Sequence, residues 1–358
     1  MRGYLDTPSM GLPNRAVVDA MGEALRDWAA GRGDYAVWDR SVESCRVLFA
    51  RLLDVRPFDV GLLPSVVPAV SAAAATISRG TGVVVAHRLE FRSLLLPVLA
   101  QVEESRIRWV DGPYVAETFT DAIDESTDGV IVSAVASHDG GRPSLARLAA
   151  SCRDGDARLV VDGTQAVGLV VPDVPPTGLS LFACAGYKGL RGPRGVGFAV
   201  ADDEHVRGFL APSAYGVSDV AEHGNYGPPL VPKRGAPGLD QSPAWLAWVG
   251  AEQALKELTS EPAPDRERRV VGLADILRDR LTELGLPPQA TDLSSPIVSF
   301  QAQDSEALLA SLAEAGVRAT SRLGRVRVGF HVYNDENDVD LLCDVLGRRD
   351  RVGTRFPL

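Results

Sequence analysis

Two stretches of the chain hold the residues best suited to covalent chemistry. In the first, the apolar run Leu159-Val160-Val161 delivers Asp162 and turns on Gly163, with Thr164 and Gln165 following. In the second, Ala185-Gly186-Tyr187-Lys188-Gly189 delivers a lysine and continues through Gly192-Pro193-Arg194-Gly195 into another apolar run. A lysine amine condenses with an aldehyde to a Schiff base and, once released, acts as a general base. A carboxylate beside a pyridine nitrogen keeps that nitrogen protonated, so the ring can accept electrons. Pyridoxal 5′-phosphate (PLP) chemistry needs both groups, and here they end successive strand candidates. Gln165 stands three residues past Asp162, within reach of the ring hydroxyl. An aspartate before glycine is by itself a common turn former, and a lone lysine among glycines is usually a solvated loop. The specific signal is the ordered pair.

Such a pair must be brought to one edge of a sheet. Short apolar runs at 60–63, 83–86, 106–110, 130–135, 159–162, 181–185 and 196–200 have the composition of strands buried on both faces. Helix-compatible stretches at 67–78, 91–101 and 143–153 lie between them. The alternation predicts an α/β fold with a mainly parallel seven-stranded sheet and helices on both faces. Ligands in such folds collect at the carboxyl ends of the strands. Two helices, 16–30 and 39–53, precede this region and are joined by a loop at 31–35. Helices at 242–258 and from the 261–265 break to 284 follow it. The remainder alternates strand (297–301), helix (305–315), strand (325–331) and helix (336–346), a compact α+β unit. The expected division is a large domain, residues 1–258, and a smaller C-terminal domain, residues 259–358.

Bulk composition narrows the partners. The net charge of -10 over 358 residues offers no basic face for nucleic acid or an anionic membrane. The most apolar stretch, 61–77, is broken by Pro64 and Pro68 and is no membrane span. Four cysteines without CxxC or Cys/His spacing predict neither a disulfide framework nor a metal site. They fit a reducing cytoplasm, and no signal-peptide pattern opens the chain. No strand feeds a GxGxxG turn, which disfavours a dinucleotide-binding reading.

The D-x-x-Q-x-x-G run at 162–168, followed by x-K-x-x-x-G-P-x-G-x-G-F at 187–198, resembles the class V aminotransferase family of fold-type I PLP enzymes. This group includes cysteine desulfurases. Residues 134–140 and 192–197 are most similar to the ergothioneine-pathway C–S lyase. The resemblance implies PLP as cofactor, with Lys188 as its Schiff-base lysine, Asp162 at the pyridine nitrogen and Gln165 at the ring hydroxyl. It places the phosphate-binding turn at Ser65, Val66 and Val67, where valines replace the usual threonines and backbone N–H groups must serve. Phe91 falls where an aromatic stacks on the ring, and Ser137 or His138 where a residue lies near the ring oxygen. Arg327, in Arg325-Val326-Arg327, matches the clamp for a substrate α-carboxylate. Arg325 shares its strand face. A homodimer acting on a small amino acid is also implied.

Departures from the family pattern limit the reaction. Residues 319–324 hold no cysteine where desulfurases carry their nucleophile, and Cys343 reads as a buried structural thiol. Ala185, Tyr187 and Ala236 replace phosphate ligands, with Tyr187 or Arg194 as possible substitutes. The expectation is therefore a PLP-dependent lyase breaking a C–S bond in a cysteine-derived amino acid, without a persulfide. Transamination, epimerisation and a non-catalytic relative are the alternatives.

Overall fold

The computed structural model describes residues 2–201, 212–218 and 226–351. The Gly/Pro-rich sequence at 213–237, whose composition and position predict a wall of the site, lies partly outside the described residues. Seven strands, β1 (Val60–Leu63), β2 (Val83–His87), β3 (Ile107–Val110), β4 (Thr127–Ser133), β5 (Arg158–Asp162), β6 (Leu181–Ala185) and β7 (Gly197–Val200), form one sheet of order β1-β7-β6-β5-β4-β2-β3. Only β7 runs against its neighbours; the other pairings are parallel.

The seven apolar runs make this sheet because both of its faces are covered. Along β5, Leu159 and Val161 join one apolar cluster and Val160 joins the other. On the face of Val160 lie α3 (Val67–Ile77) and α4 (Arg92–Leu99). The opposite face packs on α2 (Tyr35–Leu52) and on α5 (Ala116–Thr120), α6 (Leu145–Asp154) and α7 (Trp245–Leu258). There Phe49 of α2 stacks on Phe198 of β7 at 4.1 Å. α1 (Arg15–Ala29) packs against α7. The outer edge of β1 is closed by a buried ion pair: Arg46 meets Asp240 at 2.7 Å, and Asp240 accepts the Leu62 N–H at 2.9 Å.

α2 begins four residues before its expected start, because Asp34 caps it by accepting the Ala36 N–H at 2.9 Å. Tyr35 consequently lies in the helix with its ring 6.1 Å from Trp245.

A second sheet, order β8-β10-β9, is built from β8 (Ile297–Gln301), β9 (Thr320–Arg322) and β10 (Arg325–Gly329), all antiparallel. Helix α8 (Ala263–Glu283) packs against β8 and α9 (Ser305–Glu314) against β10, while α10 (Glu336–Arg351) packs on α8. The N-terminal segment joins this sheet through bridges from Tyr4 to Arg318 and Asp6 to Gly329. The three-residue β9 had no sequence signature. It turns into β10 through Leu323 and Gly324, both at positive φ, the geometry of a two-residue hairpin. No helix among the described residues is long and apolar enough to cross a membrane.

Candidate active site

A cleft opens at the carboxyl edge of the large sheet. It is lined by Ser65, Val66 and Val67 after β1, Phe91 after β2 and Ser133 and Ser137 at the end of β4. Asp162, Thr164 and Gln165 after β5, Tyr187 and Lys188 after β6, and Arg194 ahead of β7 complete it. Parallel pairing of β5 with β6 puts the aspartate and the lysine at this edge together, where open α/β sheets gather ligands. Of the residues proposed from sequence, all but His138, Arg325 and Arg327 line the cleft.

Lys188 is 4% exposed, and its ammonium has no hydrogen-bond partner among the described residues. Its Nζ lies 5.1 Å from the centroid of the Phe91 ring and 5.7 Å from that of Tyr187. Burial, opposed by Asp162 and reinforced by Arg327 and Arg322, brings its pKa down to about 8. The turn that carries it is braced from three sides. Gly11 lies so close that a Cβ there would sit 2.1 Å from the Lys188 carbonyl oxygen. Gly168, at φ +88, would place one 2.3 Å from the Gly189 oxygen. Buried His331 donates from Nε2 to that same oxygen at 2.8 Å, because its Nδ1 accepts the Val332 N–H.

Asp162 is also buried, and burial raises its carboxyl pKa against the lowering effect of Thr164 and Lys188. Its Oδ1 accepts the Thr164 N–H at 2.8 Å, and the Thr164 hydroxyl accepts the Ala185 N–H at 3.0 Å, tying β5 to β6. A carboxylate pressed toward neutrality by burial lacks a cation, which a protonated ring nitrogen would supply.

Behind the cleft, Glu90 is fully enclosed and raised in pKa by burial. It accepts the Phe91 N–H at 2.6 Å and the Ser133 hydroxyl at 2.6 Å, besides a short contact from Tyr114. This carboxyl fixes the backbone that presents Phe91, and it escaped the sequence reading because Glu-Phe-Arg carries no motif.

Gln165 lines the cleft. Both of its amide donors are engaged, to Pro8 O at 2.9 Å and to Ser137 Oγ at 3.1 Å. Its Oε1 is buried without a partner among the described residues. His138 turns out of the cleft, with Nε2 3.3 Å from Asp139 and its ring near His87 and Tyr114. Ser137 alone of that pair faces the site.

Arg327 sits behind Ser137, its side chain fully buried. It donates to the Ser137 carbonyl and hydroxyl, to Ser9 Oγ at 3.0 Å and to Thr320 Oγ1 at 3.1 Å. Its nearest carboxylate, Asp6, is 3.8 Å away, and its Nε has no partner among the described residues. Burial and Arg322 bring its pKa down to about 10. Arg325, the other candidate on that face, is engaged with Ser299. Pro8 and Ser9 were invisible to sequence reasoning, since a short N-terminal segment shows no periodicity. The cysteines lie elsewhere: Cys45, Cys152 and Cys184 are buried in the core, and Cys343 is in α10.

This site can be set beside known proteins. The aminotransferase class-V family profile matches residues 3–342, and the chain belongs to that family. A probable cysteine desulfurase of Methanothermobacter thermautotrophicus is 29% identical over 236 residues, covering 62% of this chain. The chain spans only 58% of that relative's length. Among solved structures, a lysine-to-alanine mutant of C-DES with glycine covalently linked to its PLP superposes with TM-score 0.83 at 18% identity, covering 96% of each chain. The complex of the cystine C–S lyase C-DES with its product cysteine persulfide gives 0.80 at 19% identity, covering 96% of this chain and 97% of the other. These likenesses establish the fold-type I PLP-enzyme fold.

Proposed function

We propose that the chain is a PLP-dependent lyase that expels a sulfur substituent from Cβ of a cysteine-derived amino acid, acting without a cysteine persulfide. One observation carries this reading: the cleft holds the lysine and the aspartate, while all four cysteines stand outside its lining. The tight turn at Leu323 and Gly324 that joins β9 to β10 carries no cysteine, which supports the same reading.

PLP, when bound, supplies an electron sink for breaking the bond to the α-hydrogen. Lys188, desolvated and with its pKa near 8, holds the cofactor and then accepts the α-proton at Nζ. Asp162 stabilises positive charge on the ring nitrogen, and Phe91 covers the ring. Arg327 orients the α-carboxylate, which replaces the neutral hydroxyl acceptors of Ser9 and Ser137 with stronger charge-assisted bonds. The sulfur leaves as a thiolate, and water releases pyruvate and ammonia. A homodimer belongs to the same proposal.

At the phosphate end, α3 starts without a side-chain cap, so its first N–H groups are open to an anion. Arg194 lies 4.4 Å over the Tyr187 ring at the cleft wall and takes the charge role of the missing phosphate ligands. Arg194→Gln is expected to weaken PLP about tenfold in equilibrium dialysis while sparing unphosphorylated pyridoxal. Equal retention of PLP by variant and parent would remove Arg194 from the site.

The reaction is tested by offering S-substituted cysteines and their sulfoxides to the holoprotein. Pyruvate, ammonia and a free thiol or sulfenate in equal amounts support elimination. Conversion of the cofactor to its pyridoxamine form selects transamination instead, and recovery of the opposite enantiomer selects epimerisation. A holoprotein inert to every amino acid would place the chain among non-catalytic relatives.

A further inference from the structure

Two arginines from neighbouring strands converge on one neutral oxygen. Arg327 of β10 and Arg322 of β9 both donate to Ser9 Oγ, at 3.0 Å and 3.4 Å. Arg322 is exposed, and its other donor contact is the Ser321 carbonyl at 2.7 Å. Among the described residues it has no carboxylate within ion-pair distance. Asp6, 3.8 Å from Arg327 and hydrogen-bonded by Thr320 at 3.3 Å, is the one carboxylate among the described residues paired with this cluster.

Like charges gathered around a hydroxyl repel, and the repulsion reaches Lys188, whose pKa both arginines lower. A chain of net charge -10 has ample carboxylates to neutralise such a cluster, yet among the described residues only Asp6 comes within ion-pair distance of it. Arrangements of this kind serve an incoming anion, since each guanidinium gains a charge-assisted bond where it now holds a neutral one. One substrate α-carboxylate engages Arg327 and leaves Arg322 unmatched. The hairpin through Leu323 and Gly324 holds Arg322 on the short strand beside Ser9 of the N-terminal segment. Arg322 thus shares Ser9 with Arg327, whose further partner Ser137 lines the cleft.

We propose that Arg322 and the Ser9 hydroxyl form a second anion subsite beside Arg327, so that the preferred substrate carries an anionic group on its sulfur substituent as well as its α-carboxylate. This rests on the lyase reading above. The anion is an oxyanion, either a carboxylate or an oxidised sulfur group.

The test compares S-carboxymethyl-L-cysteine with its neutral isostere S-carbamoylmethyl-L-cysteine, and adds S-sulfo-L-cysteine for the oxidised-sulfur case. Dissociation constants come from the change in the holoprotein's visible band, and KM and kcat from pyruvate release, which is common to all three compounds. The anionic compounds are expected to bind about tenfold more tightly than the amide, through KM and not kcat. Whichever of the two binds better identifies the oxyanion. In Arg322→Gln the charged-to-neutral ratio should fall toward one, and Arg322→Lys should restore part of it. Equal binding of charged and neutral compounds by the unaltered chain overturns the subsite and leaves the lyase reading intact. A proportional loss for both compounds in Arg322→Gln likewise overturns it, since a merely structural arginine would behave that way. A holoprotein that binds none of the three contradicts both proposals together.

Discussion

Replacing Lys188 with alanine is expected to abolish covalent capture of PLP and to slow turnover by roughly 10³-fold or more, the range of a lost general base compounded by a lost covalent anchor. The same substitution should leave the fold intact. Lys188 is 4% exposed and its pKa is lowered to about 8, so the folded chain binds fewer protons there than the unfolded chain between about pH 8 and the ordinary lysine value near 10.4. Stability from this site therefore rises with pH across that window. Below about pH 8 the buried ammonium is a standing cost, and the alanine variant should melt no lower than the parent in paired pH scans of the apoprotein. The neutral amine is the nucleophile, so the apoprotein's rate of PLP capture should climb with pH and level off above about 8. A rate still climbing near pH 10 would show an ordinary, solvated lysine. A sharp loss of stability in the variant at neutral pH would mark Lys188 as structural.

Asp162→Ala should be nearly as damaging to turnover, by about 10²- to 10³-fold, the usual consequence of removing one preorganised electrostatic partner. The cofactor would still be captured by Lys188, which separates the two phenotypes. The loss should fall on kcat more than on KM, because the aspartate acts on the ring and not on the substrate. Asp162→Asn keeps the bond from the Thr164 N–H and the shape of the turn, so it isolates the charge. An asparagine variant with full activity would show that this carboxyl only ties β5 to its turn.

The large sheet was legible because strands buried on both faces are apolar throughout. All seven runs became strands, and Asp162 and Lys188 arrived at one edge because β5 and β6 pair in parallel. Less legible was everything that depends on contact between distant segments. Pro8 and Ser9 reach Gln165 and Arg327 across more than 150 residues of chain. No local pattern announces that the Gln165 donors are already engaged, or that Arg327 sits behind Ser137. Histidine 138 is polar and ends a strand, as a site residue should, yet Asp139 and the His87 and Tyr114 rings draw it away. Strand β9 is too short for alternation to register, although it carries Arg322. The choice between Arg325 and Arg327, open on strand geometry, turns on Ser299 occupying the former.

The central claim is that Lys188 carries the cofactor, and the chain makes an unusually clean subject because it contains only three lysines: Lys188, Lys233 and Lys256. The direct measurement is borohydride reduction of the PLP-loaded protein followed by peptide mass spectrometry. The account predicts one phosphopyridoxyl group per chain, on the peptide bearing Lys188 and on neither of the others. A label on Lys233 or Lys256 alone, or none after saturation with PLP, would contradict it.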